Sequence, residues 1–246
     1  MKTSLFNALK ICLFINLIIC PFLANAAAYW MEIKGTNKIN EQVTVRVIYG
    51  NIDDAGIRHR HKGKELDLAG DFRFSILYPN GKNEKLKLVK KEDCWEAYFT
   101  PNQNGSYRIF GINDTHPVVD RSATGGENVL PIDYLCGAYQ IGDDSNLKQK
   151  PQQFLDIISV RNDNKISFTA FRNGTAENQG TKIRVFNPEN WERELVLDKN
   201  GAASFLGNKD GMYNIRLDWV ENKAGNYLGV NYKSIRHRCN NCVFIE

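Results

Sequence analysis

The chain has 246 residues, with 42% apolar and 24% charged types and a formal net charge of +4. That balance suits one or two folded, soluble domains and excludes a disordered chain. Without Lys2 and Lys10, which fall in a predicted leader, the charge is near +2, too weak and dispersed to form the basic stripe of a nucleic-acid partner.

Residues 1–26 predict a secretory signal. Lys2 and Lys10 form its basic start, 11–23 is apolar apart from Asn16 and Pro21, and Ala24-Asn25-Ala26 is a small-x-small cleavage site. The apolar run is shorter than the roughly 20 residues of a membrane helix, and no later stretch is long and apolar enough. The expectation is a periplasmic or secreted protein with no integral membrane segment after cleavage. A lipid anchor at Cys20 is disfavoured by the bulky Ile19 before it. Cleavage removes Cys12 and Cys20 and leaves Cys94, Cys136, Cys239 and Cys242. In an oxidising compartment these are disulfide candidates with three pairings open.

From Val43 onward, short alternating runs predict strands. Val43, Val45, Val47 and Tyr49 form one apolar set, and Phe72, Phe74, Ile76 and Tyr78 another. Turn chemistry separates the runs, as at Pro79-Asn80-Gly81 and Gln103-Asn104-Gly105. These elements predict a first β-sandwich over 27–112, with an inserted loop at 51–70. A bridging segment, 113–150, follows: an exposed loop, a further strand near 130–141 and a polar linker. The second β-sandwich spans 151–246. Its first run, 151–160, fits helix spacing (Phe154, Ile157, Ile158) or a strand. Later runs such as Tyr213, Ile215, Leu217 and Trp219 alternate clearly.

The two sandwiches read as copies of one module. Gly50 matches Gly174, Pro79 matches Pro188, and Gly105-x-Tyr107 matches Gly211-x-Tyr213. The fold expected is therefore all-β, two tandem antiparallel sandwiches of immunoglobulin or transthyretin type.

Two clusters carry metal-binding residue types. His237, Cys239 and Cys242 supply imidazole and thiol groups at the C-terminus; His59 and His61 lie two residues apart in the inserted loop, so both point to one side of an extended segment. Nickel, copper or zinc would suit such donors. The competing readings are disulfide formation at Cys239 and Cys242 and a solvated basic loop around Arg58-His59-Arg60-His61-Lys62. Trp191, in a polar turn, is a candidate for contacting a ligand. No GxSxG elbow, HExxH, phosphate loop or dinucleotide fingerprint occurs, so the expectation is a non-enzymatic protein. A hydrolase or redox enzyme ranks last.

Several segments together resemble a family of bacterial periplasmic proteins associated with nickel uptake. They are Ala28-Tyr29-Trp30-Met31-Glu32, VTVRVIYGN from Val43, Tyr78-Pro79-Asn80-Gly81-Lys82, Leu155-Asp156-Ile157-Ile158, Gly211-Met212-Tyr213, and Gly229-x-x-Tyr232 followed by His237. Members of that family are similar to the substrate-specific subunit of a nickel transporter. The resemblance implies two β domains, the second like a carboxypeptidase regulatory module, with His237 as a ligand and a membrane transporter or outer-surface component as partner. Family members often carry a His just before the first aromatic residue, where this chain has Ala28 or Tyr29. The resulting expectation is a binding protein for transition-metal uptake, with a glycan-binding or surface-interaction module as the alternative.

Overall fold

A computed structural model describes residues 28–53, 55–142 and 149–245. The predicted signal at 1–26 and residues 143–148 of the polar linker lie outside the described residues.

The alternating runs form strands. The first copy holds β1 (Ala28–Lys34), β2 (Val43–Ile52), β3 (Arg58–Arg60), β4 (Arg73–Leu77), β5 (Asn83–Leu86), β6 (Val89–Lys90), β7 (Trp95–Phe99) and β8 (Gly105–Asn113). Its inserted segment carries β3 and a single helical turn, α1 (Lys64–Asp67). The bridge supplies β9 (Val129–Ile141). The second copy holds β10 (Leu155–Asn162), β11 (Lys165–Arg172), β12 (Thr175–Ala176), β13 (Lys182–Phe186), β14 (Glu192–Val196), β15 (Ala202–Leu206), β16 (Gly211–Glu221), a hairpin of β17 (Gly225–Tyr227) and β18 (Val230–Tyr232), and β19 (Ser234–Ile245). The run that fitted helix or strand is β10.

The strands repeat in order as well as in sequence. A small sheet β1-β2-β7, with β3 on β2 and β6 beyond β7, matches β10-β11-β15, with β12 on β11. The other halves, β5-β4-β8-β9 and β14-β13-β16-β19, join into one eight-stranded sheet. They meet where β9 runs parallel to β19, from Val129 opposite Ser234 to Cys136 opposite Asn241. The bridge is therefore no spacer: its strand lies at the centre of the molecule.

Alternation along β9 places the two small sheets. Leu135 and Tyr139 pack into a core with Met31, Val45 and Phe74, whereas Tyr134 and Cys136 pack into a second core with Ile157, Phe168 and Ile215. Successive side chains on a strand point to opposite faces, so the small sheets cover opposite faces of the shared sheet. Two equivalent halves joined through parallel neighbours and covered on opposite faces are related by an approximate two-fold axis along the strands.

Local chemistry repeats too. Gly105 and Gly211 hold φ of 124° and 123°, and a Cβ on either would come within 3 Å of Pro79 or Pro188, so only glycine fits the start of β8 and β16. Two residues on, the Tyr107 hydroxyl donates to the Gln103 carbonyl at 2.8 Å and the Tyr213 hydroxyl to that of Lys209 at 3.1 Å. Each pins the preceding turn in the manner of a tyrosine corner.

The copies are also tied by polar contacts. Arg108 on β8 donates to Asp156 on β10 at 2.7 Å, both buried. Removing one partner of such a pair costs about 3–5 kcal/mol. Across the other face, Arg58 donates to the Asn187 carbonyl at 3.3 Å and Asn190 to that of Gly56. The inserted segment of the first copy thus docks on the β13–β14 turn of the second.

Candidate functional site

The expected metal donors do not assemble. Cys239 packs in the second core and Cys242 in the first, because three residues along a strand reverse the face. His237 shares the Cys239 face, but its ring is buried among Tyr134, Phe154 and Trp219, with centroids 6.0, 4.9 and 5.1 Å away. Its Nδ1 lies 3.0 Å from the Tyr134 hydroxyl and its Nε2 3.6 Å from Glu221. Burial lowers its pKa, against the pull of Glu221. In the inserted segment, His59 Nε2 meets Asp53 Oδ2 and His61 Nε2 meets Asn51 Oδ1, each at 2.7 Å. Among the described residues no group of three or more His, Cys, Asp or Glu is placed to hold an ion. A nickel, copper or zinc ion does not fit these residues.

The four candidate disulfide cysteines are free thiols in the structure, all buried. Cys136 and Cys239 bring their sulfurs to 3.6 Å across the β9–β19 seam. Cys242 instead accepts from the Met31 amide at 3.4 Å. Burial pushes the Cys94 thiol up to about 11 and Cys242 up to about 12, and raises that of Cys239 well above its ordinary value. Thiols so protonated are poor nucleophiles. Trp191 is exposed, at 75%, and its amide donates to Asn187 Oδ1 at 2.8 Å.

Two surface features hold convergent polar groups. The first is a cleft of about 520 Å³ at one end of the seam. One wall is the loop at 122–128 and the other the β17–β18 hairpin, with Ser122, Asn128, Asn231, Tyr232 and Lys233 lining it. The walls are tied: Asn128 Nδ2 donates to the Asn231 carbonyl at 3.0 Å and the Lys233 amide to the Asn128 carbonyl at 2.9 Å.

The second is a ledge of arginines on the shared sheet, built by strand register. Arg184 on β13 pairs with Arg216 on β16, which pairs with Asn240 on β19. In the next row Asp218 pairs with Arg238, which pairs with Asp133 on β9, and beyond it Val220 pairs with Arg236. Directly paired residues project to one face. Asp218 is shared, accepting from Arg238 at 2.7 Å and Arg184 at 2.5 Å. Burial pushes its pKa up, but Arg238 and Arg184 outweigh burial and hold the carboxyl below its usual range. Arg216 donates through Nε to Asn240 at 2.8 Å and stacks on Phe186 at 4.8 Å. Burial, then Arg238, pulls its pKa down to about 10. The arginines were missed in the sequence because they fill the polar half of an alternation, which reads as a solvent face. Their spacing of two, at Arg236 and Arg238, was the available signal.

No family model matches this chain, and no curated protein matches it. Similar solved structures include a DUF4785 family protein from Legionella pneumophila, at 11% identity and TM-score 0.30, with 79% of this chain and 53% of that one covered. This chain thus spans about half of that protein's length. A trypsin-activated alpha-2-macroglobulin from Escherichia coli gives 10% identity and 0.28 over 89% of this chain and 16% of that one. A pilus 2b backbone protein from group B streptococcus gives 11% and 0.15, covering 86% and 97%. These TM-scores are too low to transfer fold or function.

Proposed function

We propose that the protein is an exported, non-enzymatic binding protein that takes a polar ligand, an oligosaccharide, in the cleft between the 122–128 loop and the β17–β18 hairpin. The observation that carries this reading is the cleft itself: side-chain amides, hydroxyls and one aromatic ring converge on a space of about 520 Å³, and small-molecule sites are concave with a few placed polar groups. Loops projecting from a rigid scaffold are where binding surfaces concentrate. Export rests on the leader predicted at 1–26. The non-enzymatic reading is supported by the protonated, buried thiols and the ring-enclosed His237. An outer-surface component or membrane transporter is the partner this reading proposes.

The leaderless protein is screened on a glycan array, and hits are titrated by calorimetry. Tyr232→Ala and Asn231→Ala are each expected to weaken binding at least tenfold. An array without signal, or hits unaffected by both substitutions, contradicts the reading.

A further inference from the structure

The approximate two-fold symmetry makes the arginine ledge conspicuous. Counting from the matched glycines, Arg216 occupies the place of Phe110, and Arg184, opposite it, the place of Ser75. Counting back from Ile245 and Ile141, which pair with those glycines, Arg238 stands for Tyr134 and Arg236 for Ile132. In the first copy Phe110, Ile132 and Tyr134 pack against the second core. In the second copy the same four places hold four guanidinium groups. Packing of the module does not demand cations there.

Nor are all of these cations neutralised within the described residues. The groups on or facing the ledge are Arg184, Arg216, Arg236 and Arg238, with Arg121 close enough to act on Arg236, and the acids Asp133, Asp218 and Glu192. Asp218 is taken by Arg184 and Arg238, and Glu192 lies 3.7 Å from Arg184. Arg216 has no carboxylate within 4.0 Å among the described residues, and Asn240 and Phe186 are its neighbours. Arg236 has its Nε buried without a hydrogen-bond partner. Asp133, the remaining acid, is buried, and burial raises its pKa. For both Arg216 and Arg236 the strongest charge effect is repulsion from Arg238 between them. A buried donor without a partner is destabilising, and adjacent like charges add to that; an oxyanion placed between them relieves both.

We propose that Arg216, Arg236 and Arg238 form a binding site for an oxyanion, a phosphate or carboxylate group carried by a ligand. Guanidinium groups present paired N–H donors matched to such oxygens. The site lies on the sheet face and not in the cleft, so it stands whether or not the cleft takes a saccharide.

The test is thermal unfolding of the leaderless protein in inorganic phosphate, acetate and chloride at matched ionic strength and pH. Phosphate or acetate at about a hundredfold its dissociation constant is expected to raise Tm by roughly 5–10 °C over chloride, and whichever anion does so names the ligand group. Arg236→Gln, which removes a repelling charge, is expected to unfold at or above the wild-type Tm in chloride and to lose the anion response. Arg216→Gln is expected to lose it as well. Tyr232→Ala, in the cleft, is expected to keep it, which separates failure of this site from failure of the cleft. Equal Tm in all three salts, or a full response in both arginine variants, overturns the proposal.

Discussion

His237 shows how a residue type that suggests metal binding serves packing instead. Its ring stands between Tyr134, Phe154 and Trp219, and the Arg172 guanidinium lies 5.0 Å over the Trp219 ring. Burial favours the neutral imidazole, and Glu221 only partly opposes it. With the folded pKa below the ordinary 6.5, the unfolded chain takes up a proton first as pH falls. The stability that His237 contributes is therefore complete above about pH 6.5 and is lost as pH falls toward the lowered folded value. Urea midpoints measured from pH 7.5 to 5 are expected to fall for the wild type and to fall less steeply for His237→Phe, which keeps a ring in place. Parallel profiles for the two proteins would contradict this account of His237. The sequence displayed the imidazole and the thiols but not their surroundings, since the enclosing rings come from β9, β16 and the segment before β10.

At the level of elements, the alternation and turns announced most strands, and the glycine, proline and tyrosine matches announced the repeat. The β9–β19 seam was not legible: parallel neighbours are joined by no turn, so no local spacing records them. The seam decides what the cysteines can do. It holds Cys136 and Cys239 with sulfurs 3.6 Å apart and sends Cys242 to the other face. Refolding the reduced protein in a glutathione redox buffer is expected to join Cys136 to Cys239, the two hydrogens leaving to reduce oxidised glutathione. Cys94 and Cys242 remain thiols. A bond across 103 positions of sequence would stabilise the fold by about 5 kcal/mol on loop-closure grounds. Thiol counting and peptide mapping check it; four free thiols after refolding, or a bridge that includes Cys242, would contradict it.

For the whole molecule, joining two modules through one sheet changes what counts as a domain. Met212 and Cys242 of the second copy belong to the first core, and Tyr134 and Cys136 of the bridge belong to the second. Arg108 and Asp156 pair across the copies. Each core therefore draws residues from both halves, although the sequence reads as two self-contained sandwiches because each copy carries a full set of alternating strands. The measurement that tests this most directly is calorimetric unfolding of residues 27–246 beside the separate pieces 27–142 and 149–246. One transition for the whole chain, with calorimetric and van't Hoff enthalpies equal and no cooperative transition in either piece, is the predicted result. Two transitions, each reproduced by one of the isolated pieces, would contradict it.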